Sequence, residues 1–206
     1  MQEINFIFGI AILIMSIVIH EVSHGYTAYI LGDSTAKDSG RLTLNPFKHL
    51  DLYGSLFIPI LTFLMGGFIL GWAKPVPYNP YNLKNQRTGS ALVGAAGPLS
   101  NFLVAIIFGL AIRYSSLFTF LPVSFFQMAS LIVIINLNLG IFNSIPIPPL
   151  DGSKILFAFL PINWQNLGII LERFGFLILI FFIFFFYQLL IPLTVILFKL
   201  ITGLTL

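Results

Sequence analysis

The sequence contains no cysteine and very few charged residues. Of its 206 residues, only 8% are Asp, Glu, Lys or Arg, whereas a typical soluble domain is about 25% charged. The missing cysteines exclude a disulfide scaffold, thiolate metal ligands and a cysteine nucleophile. The scarcity of charge excludes a soluble globular domain, because such a domain cannot hide so much apolar surface from water. The same composition excludes a disordered chain.

Hydrophobic residues dominate what is present. They make up 58% of the chain, and the mean hydropathy is +0.99. These values indicate a protein that lies in a lipid bilayer. The 10 Lys and Arg residues are scattered and exceed the 7 acidic residues only slightly, which gives no indication of nucleic-acid binding. The first five residues include Glu3 and no basic residue, so we expect the first apolar run to be retained rather than removed as a signal peptide.

The apolar runs predict an all-α polytopic membrane protein with about four full transmembrane helices. A span needs about 20 apolar residues, since each residue of a helix rises about 1.5 Å. The predicted spans are 4–31, 90–113, 122–145 and 167–190. A short helix is predicted at 151–160, and Pro192 predicts a second short helix after it. We read 1–206 as one domain, with a catalytic core at about 4–160 and C-terminal helices at about 165–206.

The apolar stretch at 53–70 allows two topologies. A full span is the simpler interpretation of its hydropathy, but Pro59 and the pair Gly66-Gly67 interrupt it. If the stretch is a re-entrant hairpin, eight basic residues lie on one side of the membrane and only Arg113 and Lys199 on the other. Cytoplasmic loops collect Lys and Arg, so this asymmetry favours the hairpin. Such a hairpin must lie beside protein or a water-filled cavity.

An HExxH sequence at positions 20–24 carries the clearest chemical signal. Residues four apart lie on one helical face, so the His20 and His24 imidazoles can bind one zinc ion. Glu21, beside them, is placed to polarise a water molecule. Ionisable groups within a membrane helix cost roughly 2.5 kcal/mol or more each, so three of them within five residues indicate a compensating cation.

Two histidines leave a tetrahedral zinc site one protein ligand short, with the fourth position kept for water. Asp151 is the main candidate, because it follows a proline-rich break in an apolar setting where a lone carboxylate is expensive. Asp151 is equally suited to capping the helix that follows, and its two oxygens allow both roles. The other candidate is His49, which we interpret as a loop histidine bonded to Asp51 or as an accessory residue near the site.

Three segments together resemble the motifs of the site-2 protease family, which are intramembrane zinc metalloproteases. They are HEVSHGYTA at 20–28, AAGPLSN at 95–101 and NSIPIPPLDG at 143–152. Two further segments, GRLTLNP at 40–46 and GWAKPVP at 71–77, resemble the compact bacterial and archaeal branch. The resemblance covers roughly residues 15–160.

The resemblance implies roles for individual residues. It implies that His20, His24 and Asp151 bind one zinc ion per chain and that Glu21 is the general base and proton shuttle. It places Asn143 near the scissile carbonyl, where its amide would stabilise an oxyanion. An ordinary interhelical hydrogen bond is the alternative role for Asn143.

The resemblance also concerns the surroundings of the site. Residues 97–101 resemble the family's tight entry into a helix, with Asn101 in a structural role. The small residues at 94–97 would let this helix pack closely on the HExxH helix. Trp72 and Lys74 are either interfacial anchors or part of a minor β-hairpin or extended segment near the active site, which in the wider family presents a strand edge to the unwound substrate. The prolines within 72–81 leave only part of it able to pair.

We therefore expect an intramembrane zinc endopeptidase that cleaves peptide bonds in or near transmembrane segments of substrate proteins in the bilayer. The expected location is a prokaryotic plasma membrane, with the active site toward the cytoplasm. The alternative is a membrane metal-binding protein or metal transporter. The sequence shows one metal cluster and no internal repeat, which favours the protease. The presence of Glu21 argues against an inactive scaffold.

Overall fold

The computed structural model describes residues 2–51, 57, 61, 74–161 and 165–205. Every regular element in these stretches is a helix. The α-helices are α1 (Gln2–Ile30), α2 (Thr35–Asp38), α3 (Gln86–Arg113), α4 (Val123–Asn143), α5 (Asp151–Phe159), α6 (Gln165–Phe186) and α7 (Leu190–Thr202). Short 3₁₀ helices occupy Pro46–Lys48, Pro80–Asn82, Ser115–Leu117 and Tyr187–Leu189.

Four of these helices are long and apolar enough to cross a membrane. They are α3, α4, residues Ile7–Ile30 of α1 and residues Asn166–Phe186 of α6. The short apolar helix α7 follows α6. The prediction of four spans and a short C-terminal helix is thereby confirmed. The hairpin predicted at 53–70 lies outside the described residues, apart from Phe57 and Leu61.

Helix α3 begins earlier than its hydropathy predicts. The Asn85 side chain accepts hydrogen bonds from the backbone N–H groups of Arg87 and Thr88, which fixes the start of the helix at Gln86. Polar residues at a helix start do not register in a hydropathy profile. As a result, residues 97–101 lie well inside α3, and the expectation that they form a helix entry is wrong.

The break near the C-terminus also differs from the prediction. The chain leaves α-helical geometry at Tyr187–Leu189, and α7 begins at Leu190, so Pro192 lies in its first turn. Proline is tolerated there because the first N–H groups of a helix have no intrahelical partner. The helix ends at Gly203, whose φ of +78° is the left-handed conformation that glycine adopts easily.

Helix α3 is the centre of the structure, since it packs against α1, α4, α5 and α7. Its largest buried apolar cluster is shared with α4 and α7 and includes Ala105, Val133, Leu137 and Phe198. Helix α6 is different, because only 11% of its most apolar window is buried within the described chain. The HExxH sequence lies on α1 and Asp151 lies on α5, so the functional residues are expected where α3 meets these two helices.

Candidate active site

The structure brings three predicted ligand side chains together. His20 and His24 lie one turn apart on α1, and Asp151 is the first residue of α5. The two Nε2 atoms are 3.0 Å apart, and Asp151 Oδ2 lies 3.0 Å from His20 Nε2 and 3.1 Å from His24 Nε2. All three residues are buried. This ligand cluster of His20, His24 and Asp151 is the group of described residues that could hold a metal ion.

The second nitrogen of each imidazole ring is already used. His24 Nδ1 lies 2.6 Å from the Val93 carbonyl, which can only accept a hydrogen bond, so this nitrogen donates. His20 Nδ1 lies 2.7 Å from Asn101 Oδ1 and donates to it. A neutral histidine carries one ring proton, so each Nε2 is left with a lone pair. Metal-binding histidines are typically oriented in this way.

These contacts show that the ligand cluster fits a metal ion. Two ring lone pairs and a carboxylate oxygen face one another within 3.1 Å, an arrangement that a shared cation would stabilise. Tetrahedral zinc with bonds of about 2.0–2.1 Å separates its ligand atoms by about 3.3 Å. The donor set of two imidazoles and one carboxylate is one that zinc favours in catalytic sites.

Asp151 does not act as a helix cap in this structure. The N-cap position of α5 is Leu150, and both Asp151 oxygens are engaged elsewhere, Oδ2 by the histidines and Oδ1 by Lys154 Nζ at 2.9 Å. Burial lowers the pKa of Lys154, but the Asp151 charge outweighs this and raises it.

One glycine on α3 and one on α5 allow each helix to approach a neighbouring part of the chain closely. A Cβ atom on Gly97 would lie only 2.4 Å from His24 Nε2 and 2.5 Å from His20 Cε1, so α3 forms the back wall of the ligand cluster. A Cβ on Gly152 would lie 2.3 Å from the Ser144 carbonyl oxygen. Gly152 is therefore required for close backbone packing.

The small residues of α3 serve two neighbours. Gly97 faces the HExxH helix, as expected. Gly94 instead faces α5, where an added Cβ would lie 2.8 Å from Lys154 Cβ and 3.0 Å from the Asp151 carbonyl oxygen. The expectation that all of 94–97 packs on α1 is therefore wrong for Gly94.

Behind His20 lies a buried polar network that the sequence analysis missed. Asn101 donates to Asn136 Oδ1 at 3.0 Å and to the Ser16 carbonyl at 3.3 Å. Asn136 in turn donates to Ser16 Oγ at 2.9 Å. The network fixes which end of the Asn101 amide faces His20. Polar residues inside the apolar helices α1 and α4 were the available signal.

Glu21 contacts the extended stretch Lys74–Asn79, which we call the rim segment. The Val76 N–H donates to Glu21 Oε2 at 2.8 Å. Pro75 and Pro77 have no N–H, so Val76 is the only residue of 75–77 with a backbone donor. The rim segment has no regular secondary structure.

The rim segment is held at both ends as well. At its start, the Lys74 N–H donates to the His49 carbonyl at 2.9 Å. At its end, the Asn79 N–H donates to Asp33 Oδ2 at 2.7 Å. His49 itself is buried, and its ring bonds to the Thr43 carbonyl at 2.8 Å, so the structure does not bring it into the ligand cluster.

Asp33 is the buried anchor of this region. Besides Asn79, it accepts hydrogen bonds from Thr35 Oγ1 at 2.5 Å and from Asn82 Nδ2 at 2.8 Å. Burial raises the pKa of Asp33, but the hydrogen bonds from Thr35, Asn79 and Asn82 outweigh burial and bring the pKa below its ordinary value.

A cavity of about 240 Å³ connects these parts. Its lining residues are His20, Glu21, His24, Pro75, Val76, Tyr78, Asn143, Pro149, Asp151 and Lys154. Asn143 donates one amide hydrogen to the Leu139 carbonyl at 3.0 Å. Its amide group carries a second hydrogen that this bond does not use. The cavity thus joins a metal-binding group, a carboxylate outside that group and an amide donor.

Comparisons with known proteins agree with this chemistry. The profile described as peptidase family M50 matches residues 8–129 and 116–186. "Putative zinc metalloprotease YwhC" of Bacillus subtilis is 39% identical over 171 residues, which cover 81% of this chain and 75% of that protein. "Putative zinc metalloprotease Rip2" of Mycolicibacterium smegmatis is 32% identical over 185 residues, covering 85% of this chain and 66% of that protein.

A more distant relative is archaeal. "Zinc metalloprotease MJ0392" of Methanocaldococcus jannaschii is 27% identical over 149 residues, which cover 72% of this chain but only 33% of that protein. No solved structure gives a significant match. The chain thus spans between a third and three quarters of the relatives described.

Proposed function

Because this chain belongs to peptidase family M50, the site-2 protease family, we propose that it hydrolyses peptide bonds within the membrane, in or near transmembrane segments of substrate proteins. Its family, the zinc metalloproteases among its relatives and its four apolar helices support a membrane zinc metalloprotease, and three of its side chains form a group that could hold the metal. The observation that carries the finer proposal is the position of His20 and His24 inside a membrane-spanning helix.

The depth of the site follows from its place on α1. The span runs from Ile7 to Ile30, so His20 and His24 lie 10 and 6 residues before its end. At 1.5 Å per residue these distances are about 15 and 9 Å, well within a hydrocarbon core of about 30 Å. A peptide bond that reaches the ligand cluster therefore has to lie below the membrane surface.

We propose that His20, His24 and Asp151 hold one Zn²⁺ per chain. Bound zinc supplies the Lewis acidity that peptide hydrolysis needs. Glu21 accepts a proton from the attacking water and passes it to the leaving amine, since it lies next to the ligand cluster without belonging to it. The free amide hydrogen of Asn143 stabilises the oxyanion. Helix α3, through Gly97, closes the site from behind.

We propose that the chain lies in a prokaryotic plasma membrane, that residues 1–206 act as one protease domain, and that the active site opens toward the cytoplasm. The bacterial and archaeal relatives support the first statement. The basic residues that follow α1, including Lys37, Arg41 and Lys48, support the orientation. Cysteines introduced at Ser39 and Asn82 should both label from the cytoplasmic side. Labelling from opposite sides would contradict the hairpin.

The catalytic proposal is tested by separating metal binding from proton transfer. Glu21→Gln should retain one zinc ion per chain and lose cleavage of a reporter transmembrane substrate in proteoliposomes. His24→Ala should lose both zinc and cleavage. If Glu21→Gln loses zinc as readily as His24→Ala, the assignment of roles is wrong. Zinc flux into the proteoliposomes without cleavage would favour a transporter.

A further inference from the structure

Lys154 is the one lysine or arginine among the described residues that line the active-site cavity. It lies three residues after Asp151 on α5, and its Nζ donates to Asp151 Oδ1 at 2.9 Å. The opposite oxygen, Oδ2, is the one that faces His20 and His24. The two oxygens of a single carboxylate are thus assigned to two different partners.

The surroundings of Lys154 fix its direction. Its stem crosses α3 at Gly94, where an added Cβ would lie 2.8 Å from Lys154 Cβ and 3.1 Å from Lys154 Cδ. Its Nζ lies 5.5 Å from the centre of the Tyr78 ring on the rim segment. Held between a glycine of α3 and an aromatic face, the lysine side chain is 31% exposed and its ammonium points at Asp151.

We propose that Lys154 is a positioning residue that keeps Asp151 a one-oxygen ligand of the metal. Carboxylates bind metal ions through one oxygen or through both. With Oδ1 bonded to the ammonium, only Oδ2 is offered to the ion. This inference rests on the proposed function, because hydrolysis needs a metal position that the protein leaves open.

The charge of Lys154 acts in the same direction. An ammonium 2.9 Å from Oδ1 draws on the negative charge of the carboxylate. Asp151 is then a weaker donor, and the ion keeps more of its Lewis acidity. If Lys154 were merely structural, its loss would weaken metal binding. We expect the opposite: without the charge the site should bind the metal at least as tightly, while Oδ1 takes the open position.

The test uses the full chain with Co²⁺ as the metal probe, because four-coordinate cobalt absorbs visible light more strongly than five-coordinate cobalt. Lys154→Met removes the charge and keeps an unbranched side chain only one atom shorter. Lys154→Arg keeps the charge and the donor. Lys84→Met is the matched control, since Lys84 is exposed and lies outside the cavity. Lys154→Leu gives the same comparison if the methionine variant does not fold.

We expect Lys154→Met to show weaker, five-coordinate cobalt bands and to bind zinc as tightly as the parent or more tightly, measured by competition with a chelator. Its kcat should fall about 10–100-fold, as for other outer partners of metal ligands, with KM little changed. Lys154→Arg and Lys84→Met should keep the parent spectrum.

A parent-like cobalt spectrum in a folded neutral variant, or a loss of zinc affinity, would overturn the proposal. These readouts need no substrate. If the parent protein cleaves no transmembrane peptide, the proposed function fails, while the cobalt spectra still decide the role of Lys154.

Discussion

The cavity has two sides that are built in different ways. The ligand cluster is held by three helices, and both Nδ1 atoms and Asp151 Oδ1 have hydrogen-bond partners outside the cluster. The rim segment faces the same cavity without regular secondary structure and is held by backbone N–H groups at Lys74, Val76 and Asn79. A net hydrogen bond contributes about 0.5–1.5 kcal/mol, so these three bonds and the buried Val76 side chain hold the rim segment less firmly than packed helices hold the ligand cluster.

The firmly held and the loosely held parts of this site therefore lie in different segments of the chain. Metal binding requires ligand atoms in constant positions, which packed helices provide. Peptide hydrolysis also requires that a substrate backbone reach Glu21, whose carboxylate is bonded to Val76. Substitutions beside the ligand cluster should therefore change zinc content, whereas substitutions beside the rim segment should change access and leave zinc in place.

The largest effect is expected at Gly97. Gly97→Ala would place a methyl group 2.4 Å from His24 Nε2, so zinc binding and cleavage should both be abolished. Zinc content by mass spectrometry and helicity by circular dichroism measure this. Gly109→Ala is the control, since it lies on the same helix and its added methyl group would meet the Ile201 and Thr202 side chains of α7. Parent-like zinc content in Gly97→Ala would break the comparison.

Asp151→Asn should follow closely. The neutral amide is a poor metal ligand. Zinc affinity should therefore fall by more than the factor of about 10–100 that is typical when an outer partner of a metal ligand is lost. Cleavage of a transmembrane reporter should be lost with little change in fold, because Asn and Asp are equally compatible with a helix start. Full zinc occupancy with near-normal cleavage would remove Asp151 from the ligand cluster.

Asn101→Ala tests the network behind His20. The Asn101 side chain holds the His20 ring in the tautomer that leaves Nε2 free, so its loss should weaken zinc binding about 10–100-fold. Chelator competition measures the affinity. Asn138→Ala is the matched control on α4, because the Asn138 amide bonds to Ile134 and Thr194, away from the ligand cluster. Equal losses in the two variants would point to general destabilisation.

The smallest effect is expected at Asp33. Its pKa is depressed, so its stabilisation is present above the ordinary Asp pKa of about 3.9 and is lost as pH falls below that value. Asp33→Asn should speed amide hydrogen exchange in the rim segment about 10-fold, equivalent to about 1.4 kcal/mol, without changing zinc content. Corrected for the intrinsic exchange rate at each pH, protection of the rim segment should fall in the parent as pH drops below about 3.9, and protection in the variant should not change. Loss of zinc from Asp33→Asn would show that the two sides are coupled.

The parts of this site that follow from local rules were predictable. The pairing of His20 with His24 follows from the helical repeat, and the number of spans follows from run length. Asp151 was accessible because an apolar setting makes a lone carboxylate expensive and because its motif resembles a known family. Its alternative role as a cap depends on whether the helix begins at Asp151 or after it, and the sequence alone does not define that boundary.

Other features left no local mark. The Val76–Glu21 bond joins residues 55 positions apart, and the Asn79–Asp33 bond joins residues 46 apart. No periodicity or composition signals such single contacts. Helix ends were misjudged for a related reason: Asn85 and Pro192 act on backbone groups, and hydropathy does not measure these.

The residues of the ligand cluster are synthesised at different times, because Asp151 is added 131 residues after His20. Ribosomes add about 5–20 residues per second, so roughly 7–26 s separate the two ligands during synthesis. Throughout that interval α1 carries its two histidines without the carboxylate that completes the donor set. Tight metal capture must therefore wait until α5 has been made, which places zinc acquisition late in the biogenesis of this protein.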